Sequence, residues 1–325
     1  MSDAPAAPSW DRAWAAVQSG DLAGHADDLA ASAALADLTA ISGAEDSLAL
    51  LPPLADAVEM AMYWQEPDPV DLALHDDGAR EALRPIARVI AESAAARWWP
   101  EPAPRGDQRH VEWLDHDGPG ALLSGAGEEL ARWRSAALAE ERSAAALPAD
   151  PAAPYSGHWW SAPAHARLIA TSRALPGIGA VGLALVEDPH GWIEARCLPV
   201  LPRPGVRVWE ISGPGQWADL VARYPLDVTR SRRHDWWRVT GWSGSWLMPD
   251  FAAVAADYDA VHLTVLGYLT TAGRALPVDG ARTMLAGWDP DTTYWLSDCV
   301  EPAGPATWWR RNSDDPARWH QVPAR

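Results

Sequence analysis

Hydrophobic positions recur at helical spacing through the first half of the chain. Ala-rich stretches at 10–18, 21–40 and 53–64 place Leu, Val, Met and Ala three or four residues apart, and Pro52-Pro53 forces a break between two of them. A similar pattern covers 79–97, where Pro85 either starts the helix or kinks it, and another covers 126–146, with Glu128 and Glu129 in its first turn. Between them Gln108–Leu114 alternates and predicts a short strand. Leu147–Pro154, rich in proline, reads as a linker.

Beyond the linker the period changes from 3.6 to 2. The runs 181–186, 192–200 and 206–211 read as strands, with a hairpin turn at Asp188–Gly191. Residues 214–224 and 250–258 read as helices, 261–269, 282–288 and 293–296 as further strands, and the chain from Glu301 onward as irregular. The expected fold is therefore α+β. An acidic, mainly helical region over 1–146 and a linker over 147–154 precede a mixed or antiparallel sheet domain with two short helices over 155–325. The chain contains no internal repeat.

Composition narrows the chemistry. All 26 basic side chains are arginine, so no Schiff base with pyridoxal phosphate and no P-loop lysine is available. Scarce lysine, asparagine and phenylalanine beside abundant alanine, proline and arginine fit a GC-rich coding sequence. Base composition does not explain 21 tryptophans, four adjacent pairs of which stand out: Trp98-Trp99, Trp159-Trp160, Trp236-Trp237 and Trp308-Trp309. Each indole buries roughly 150–250 Å² and asks for an N–H partner, so most belong to cores. In a strand, one member of a pair is left free to line a surface or pocket.

The net charge of −18 argues against bulk nucleic acid and anionic membranes as partners. It is unevenly spread. Residues 1–150 carry 27 acidic and 10 basic groups, whereas residues 151–325 carry 17 and 16, so the sheet domain is nearly neutral. Two cysteines build no disulfide framework, and neither a signal peptide nor an apolar span is legible. A cytoplasmic protein is the simplest expectation.

No catalytic motif passes the test of its context. Gly177-Ile178-Gly179-Ala180-Val181-Gly182 matches G-x-G-x-x-G, but the run after it is too short and too β-like for a phosphate-binding helix, which favours a turn into a strand. Asp289-Pro290-Asp291-Thr292-Thr293 matches the D-x-D-x-T of haloacid-dehalogenase-like phosphatases, yet the chain ends too soon and has no lysine. A turn is expected there, whose Asp289 and Asp291 could at most hold a hard cation. Gly241-Trp242-Ser243-Gly244-Ser245 misses a nucleophile elbow by one residue. His110, Glu112, Asp115, His116 and Asp117 have metal-ligand types but no known zinc spacing.

The most anomalous segment is Thr229–Arg238. Arg230, Arg232, Arg233 and Arg238 surround His234 and Trp236-Trp237, a combination of guanidinium forks and indoles suited to an anionic aromatic ligand. The competing reading is a basic segment that pairs with the acidic N-terminal half. His262, on a strand near Asp259 and Glu210, is the candidate general base. The leading expectation is a module that binds a protein partner or a small anionic or aromatic ligand through the Trp/Arg-rich domain. The alternatives are an enzyme of glycosyl or ADP-ribosyl transfer on a nucleotide-type substrate, and an adaptor that uses the acidic helical region.

Overall fold

The computed structural model describes residues 48–67, 72, 77–114, 124–163, 166–189, 191–312 and 319–324. The helices expected over 10–18 and 21–40 lie outside the described residues. The chain divides into two compact units. The first comprises 1–50 and 66–98, and its described part is helix α2 (Asp77–Glu92), which runs through Pro85, followed by a 3-10 turn at Ala94–Ala96. The second comprises 51–65 and 99–325 and holds α1 (Leu51–Glu59), with Pro52-Pro53 in its first turn, together with every described element after Trp98.

The fold of this second unit is α+β. Its sheet runs in the order β13-β12-β3-β1-β2-β10-β7-β4, with β11 also on β3. Those strands are β1 (Gln108–Trp113), β2 (Ala170–Arg173), β3 (Glu194–Pro202), β4 (Val208–Ile211), β7 (Ala260–Leu263), β10 (Thr293–Trp295), β11 (Val300–Pro302), β12 (Thr307–Arg311) and β13 (Trp319–Val322). Pairing is antiparallel except between β4 and β7, which run parallel, so the sheet is mixed. Two small antiparallel pairs, β5 (Pro225–Asp227) with β6 (Leu247–Pro249) and the hairpin β8 (Leu276–Val278) with β9 (Ala281–Thr283), stand apart from it.

Several local expectations are corrected. Residues 181–186 form no strand but a 3-10 turn at Val181–Leu183, so the 188–191 turn closes no hairpin; the run is apolar because it is buried against the sheet, and burial alone does not distinguish the two. The strand expected over 261–269 stops at Leu263, because the Thr264 hydroxyl accepts the Gly267 N–H and caps helix α7 (Val265–Thr271). The tail after Glu301 is ordered into β12 and β13, whose Trp309 and Trp319 close one core cluster. Among the described residues four helices rather than two come after residue 155: α4 (Pro214–Arg223), α5 (Thr229–Thr240), α6 (Phe251–Val254) and α7. The unit boundary also falls elsewhere than 147–154. Strand β1 is flanked in the sheet by β2 and β3, and α3 (Ala126–Ser143) packs on α5 and α6.

Helix α7 approaches β4 so closely that Cβ on Gly267 would collide with the Ile211 carbonyl. Gly267→Ala should cost about 1–3 kcal/mol by urea unfolding. Gly215→Ala, in α4 with open space around it, should be neutral or gain up to about 1 kcal/mol.

Candidate functional site

The strand register sorts the polar residues onto two faces. Arg109, Val111 and Trp113 of β1 share a face with Ser172, which pairs with Arg109, and with Tyr294, which pairs with Ala170. On the opposite face Glu210, His262, Thr293, Thr171 and His110 are successive partners across β4, β7, β10, β2 and β1, a polar row straight through the sheet.

The Asp-Pro-Asp turn feeds both faces. The Thr292 N–H bonds the Asp289 carbonyl, and Asp291 takes a left-handed φ of 60°, so the two carboxylates diverge. Asp291 is 1% exposed and meets Arg173, whose backbone N–H and Nε donate to it at 2.8 and 2.6 Å, and His262 Nε2 at 3.5 Å. Asp289 lines a cleft on the other face. The two candidate cation ligands therefore share no site, and among the described residues no group of three or more metal-ligating side chains converges.

His262 and Glu210 do meet. Both ends of the buried imidazole face carboxylates, Nδ1 lying 2.6 Å from Glu210. Burial alone would lower the His262 pKa, but hydrogen bonding and charge from Asp291 and Glu210 outweigh it and hold it above 6.5. Asp259, the third candidate, is elsewhere employed, accepting the Arg207 N–H and the Ser297 hydroxyl. His110 bonds the Ala170 carbonyl and Glu112 bonds Arg196; Asp115, His116 and Asp117 lie outside the described residues.

The Thr229–Arg238 segment lies within helix α5, and its arginines are engaged by the surrounding chain, one of them, Arg232, in an ion pair with Glu140 of α3. Glu141 of α3 accepts the N–H groups of Arg230 and Ser231, Arg232 at 2% exposure grips Glu140 and the Trp160 carbonyl, and Arg233 bonds the Ala144 carbonyl. Arg238 ties Asp235 to the carbonyls of Trp64 and Tyr155. Trp236 is fully enclosed and donates to the Trp159 carbonyl, so its ring has no face open to a ligand. Arg230 is exposed and Trp237 half-buried.

The cleft was not legible in the sequence. It has a volume of about 90 Å³, room for roughly three waters, and lies over β1, β2 and β10, between the Gly182 turn and Asp289. Trp113 and Tyr294 supply its aromatic walls. Ser172 accepts the Gly182 N–H, which leaves its own hydroxyl proton to donate, and Arg109, 25% exposed, bonds Asp107 with one arm. Burial pushes the Asp289 carboxyl up to about 7, against the opposing hydrogen bond from the Glu187 N–H. Glu187, buried behind it, is raised well above the carboxylate range by burial and, further, by the charge of Asp289. A carboxyl raised to about 7 at the wall of a cleft, with a second raised acid behind it, is what a functional site requires more often than a fold does. The one sequence signal was Glu187-Asp188 ending an apolar run. Gly177 and Gly179 adopt positive φ beside it, as a turn requires.

No helix among the described residues is long and apolar enough to cross a membrane. No protein-family model, curated protein or solved structure matches the chain.

Proposed function

We propose that the sheet unit binds a small anionic ligand with a planar group in the cleft over β1, β2 and β10. The observation that supports this most is that Arg109, the Ser172 hydroxyl and the protonatable Asp289 line one cleft together with the rings of Trp113 and Tyr294. The aromatic walls meet a planar group, the guanidinium and hydroxyl hold its anion, and a protonated Asp289 donates a further hydrogen bond. This keeps an anionic aromatic ligand as the partner but moves it from α5 to the sheet.

Intrinsic tryptophan fluorescence and thermal shift test it, with benzoate, nicotinate and phenyl phosphate as probes and AMP as a larger comparison. A benzoate-sized anion should bind at pH 6, and Arg109→Ala should weaken it about tenfold, the loss of a charged hydrogen bond. Silence toward all four probes, or equal binding to Arg109→Ala, ends the proposal. The enzymatic alternative draws support only from the His262–Glu210 contact, and the complete burial of His262 sets it second.

A further inference from the structure

The C-terminal turn of α3 and the first turn of α5 line a cavity of about 150 Å³, room for about five waters. Among the described residues it shares no lining side chain with the cleft over the sheet. α3 supplies Glu140 and Ser143, α5 supplies Ser231, Leu147 adds an apolar wall, and the Tyr155 ring, 36% exposed, completes the lining. An exposed ring usually moves freely, but this one is anchored through its backbone. Arg238 donates to the Tyr155 carbonyl, and the Ser156 hydroxyl and the Gly157 N–H both donate to the buried Asp235 of α5. The ring packs over Gly157, where a Cβ would lie 3.2 Å from it, and against His234 at 5.1 Å.

The polar atoms of this cavity are balanced in charge but not used up as hydrogen-bonding groups. Glu140 Oε1 accepts from Arg232 at 2.8 Å, and Oε2 lies 3.0 Å from His158 Nδ1. A carboxylate offers about four lone pairs, so each oxygen can accept one more bond. The Ser231 hydroxyl donates to the Val228 carbonyl and keeps its lone pairs for a further donor. The Ala144 carbonyl just past the end of α3 is met by Arg233. Because Arg232 pairs with Glu140 at 3% side-chain exposure, a cationic ligand would meet a like charge there, and an anionic one would meet the carboxylate. A neutral ligand that donates and accepts hydrogen bonds avoids both costs. Hydroxyl groups do this, and the C–H face of a saturated ring suits the electron-rich face of an aromatic one.

We propose that this cavity binds a neutral polyhydroxylated ring of pentose or hexose size, a sugar or a cyclitol, at a site separate from the anion cleft. Neighbouring hydroxyls of the ligand donate to the two Glu140 oxygens, another donates to Ser231 Oγ, the Ser143 hydroxyl bonds the outward end, and the C–H face of the ring lies on Tyr155. The bonds to Glu140 are charge-assisted and carry most of the polar contribution. The anchored backbone on either side of Tyr155 sets its ring in place before the ligand arrives, which reduces the ordering cost of binding.

Saturation-transfer NMR on the full chain tests this, with xylose, glucose and myo-inositol as probes and choline and acetate as charged comparisons. At least one neutral probe should bind, and more tightly than either ion. Tyr155→Ala should weaken it about tenfold, whereas Tyr155→Phe, which keeps the ring face, should change it by no more than about twofold. Ser143→Leu, at an exposed position of the lining, should abolish binding by filling the site, and it decides the matter if Tyr155→Ala does not fold. Arg109→Ala, in the cleft over the sheet, should leave the neutral probe unaffected. Silence toward all three neutral probes, or binding unmoved by Tyr155→Ala and Ser143→Leu, overturns the proposal. Tighter binding of choline or acetate overturns it in favour of an ion site, and loss of the neutral probe with Arg109→Ala overturns it in favour of the cleft.

Discussion

Asp291→Asn is expected to destabilise the protein by about 3–5 kcal/mol, because it removes the charge shared by two buried cations, Arg173 and His262. Urea unfolding measures it. Glu101→Gln, which breaks the outer ion pair of the same chain at a side chain 57% exposed, should cost less than about 1 kcal/mol. Equal losses in the two variants would show that Arg173 and not Asp291 organises the network. The folded His262 pKa lies above its ordinary 6.5, so the stability it contributes is complete below pH 6.5 and is lost as pH rises through the higher folded value. The native chain should therefore lose stability on the alkaline side of 6.5, and His262→Gln should remove that part of the profile.

Ligand affinity should fall about tenfold per unit above pH 7, reaching about a hundredfold by pH 9, as Asp289 ionises beside the bound anion. Asp289→Asn should flatten that dependence. The amide oxygen still accepts the Glu187 N–H, so the local geometry is preserved. The same substitution should raise stability at pH 8. An acid whose folded pKa is lifted from 3.8 to about 7 stabilises fully below 3.8 and loses that contribution as pH rises to 7. The shift corresponds to about 4 kcal/mol for a dry group. Because Asp289 lines a wet cleft, about 2 kcal/mol is the expected gain. Affinity independent of pH in the native chain would remove Asp289 from the site. The windows of Asp289 and His262 adjoin near pH 7, and only the pair of variants separates them.

Parts of this organisation are legible without coordinates. Alternation over Gln108–Leu114 identified β1, and proline with helical spacing identified α4 almost to the residue. Strong local signals of this kind report the immediate chain. The apolar run at 181–186 shows their limit: it reports burial, which a 3-10 turn under a sheet and a strand inside one satisfy equally. Thr229–Arg238 shows another. Its composition fits a ligand site and an internal clamp alike, and its contacts with Glu140 and Glu141 come from about 90 residues earlier.

The site depends on still longer reach. Asp289 and Asp291 are two residues apart, yet one left-handed turn sends them to opposite faces, where one meets Glu187 and the other Arg173 and His262. Arg109 gains its meaning from Ser172 opposite, and Glu210 from His262. By itself the sequence determined the α+β class, the lysine-free and tryptophan-rich chemistry, and the neutral charge of the second half, because these depend on composition and on periods of a few residues. Only the tertiary structure decided which arginines are consumed and which acids are neutral. Desolvation and charge pairing are set by neighbours in space, and β-sheet register brings together residues that no local spacing connects.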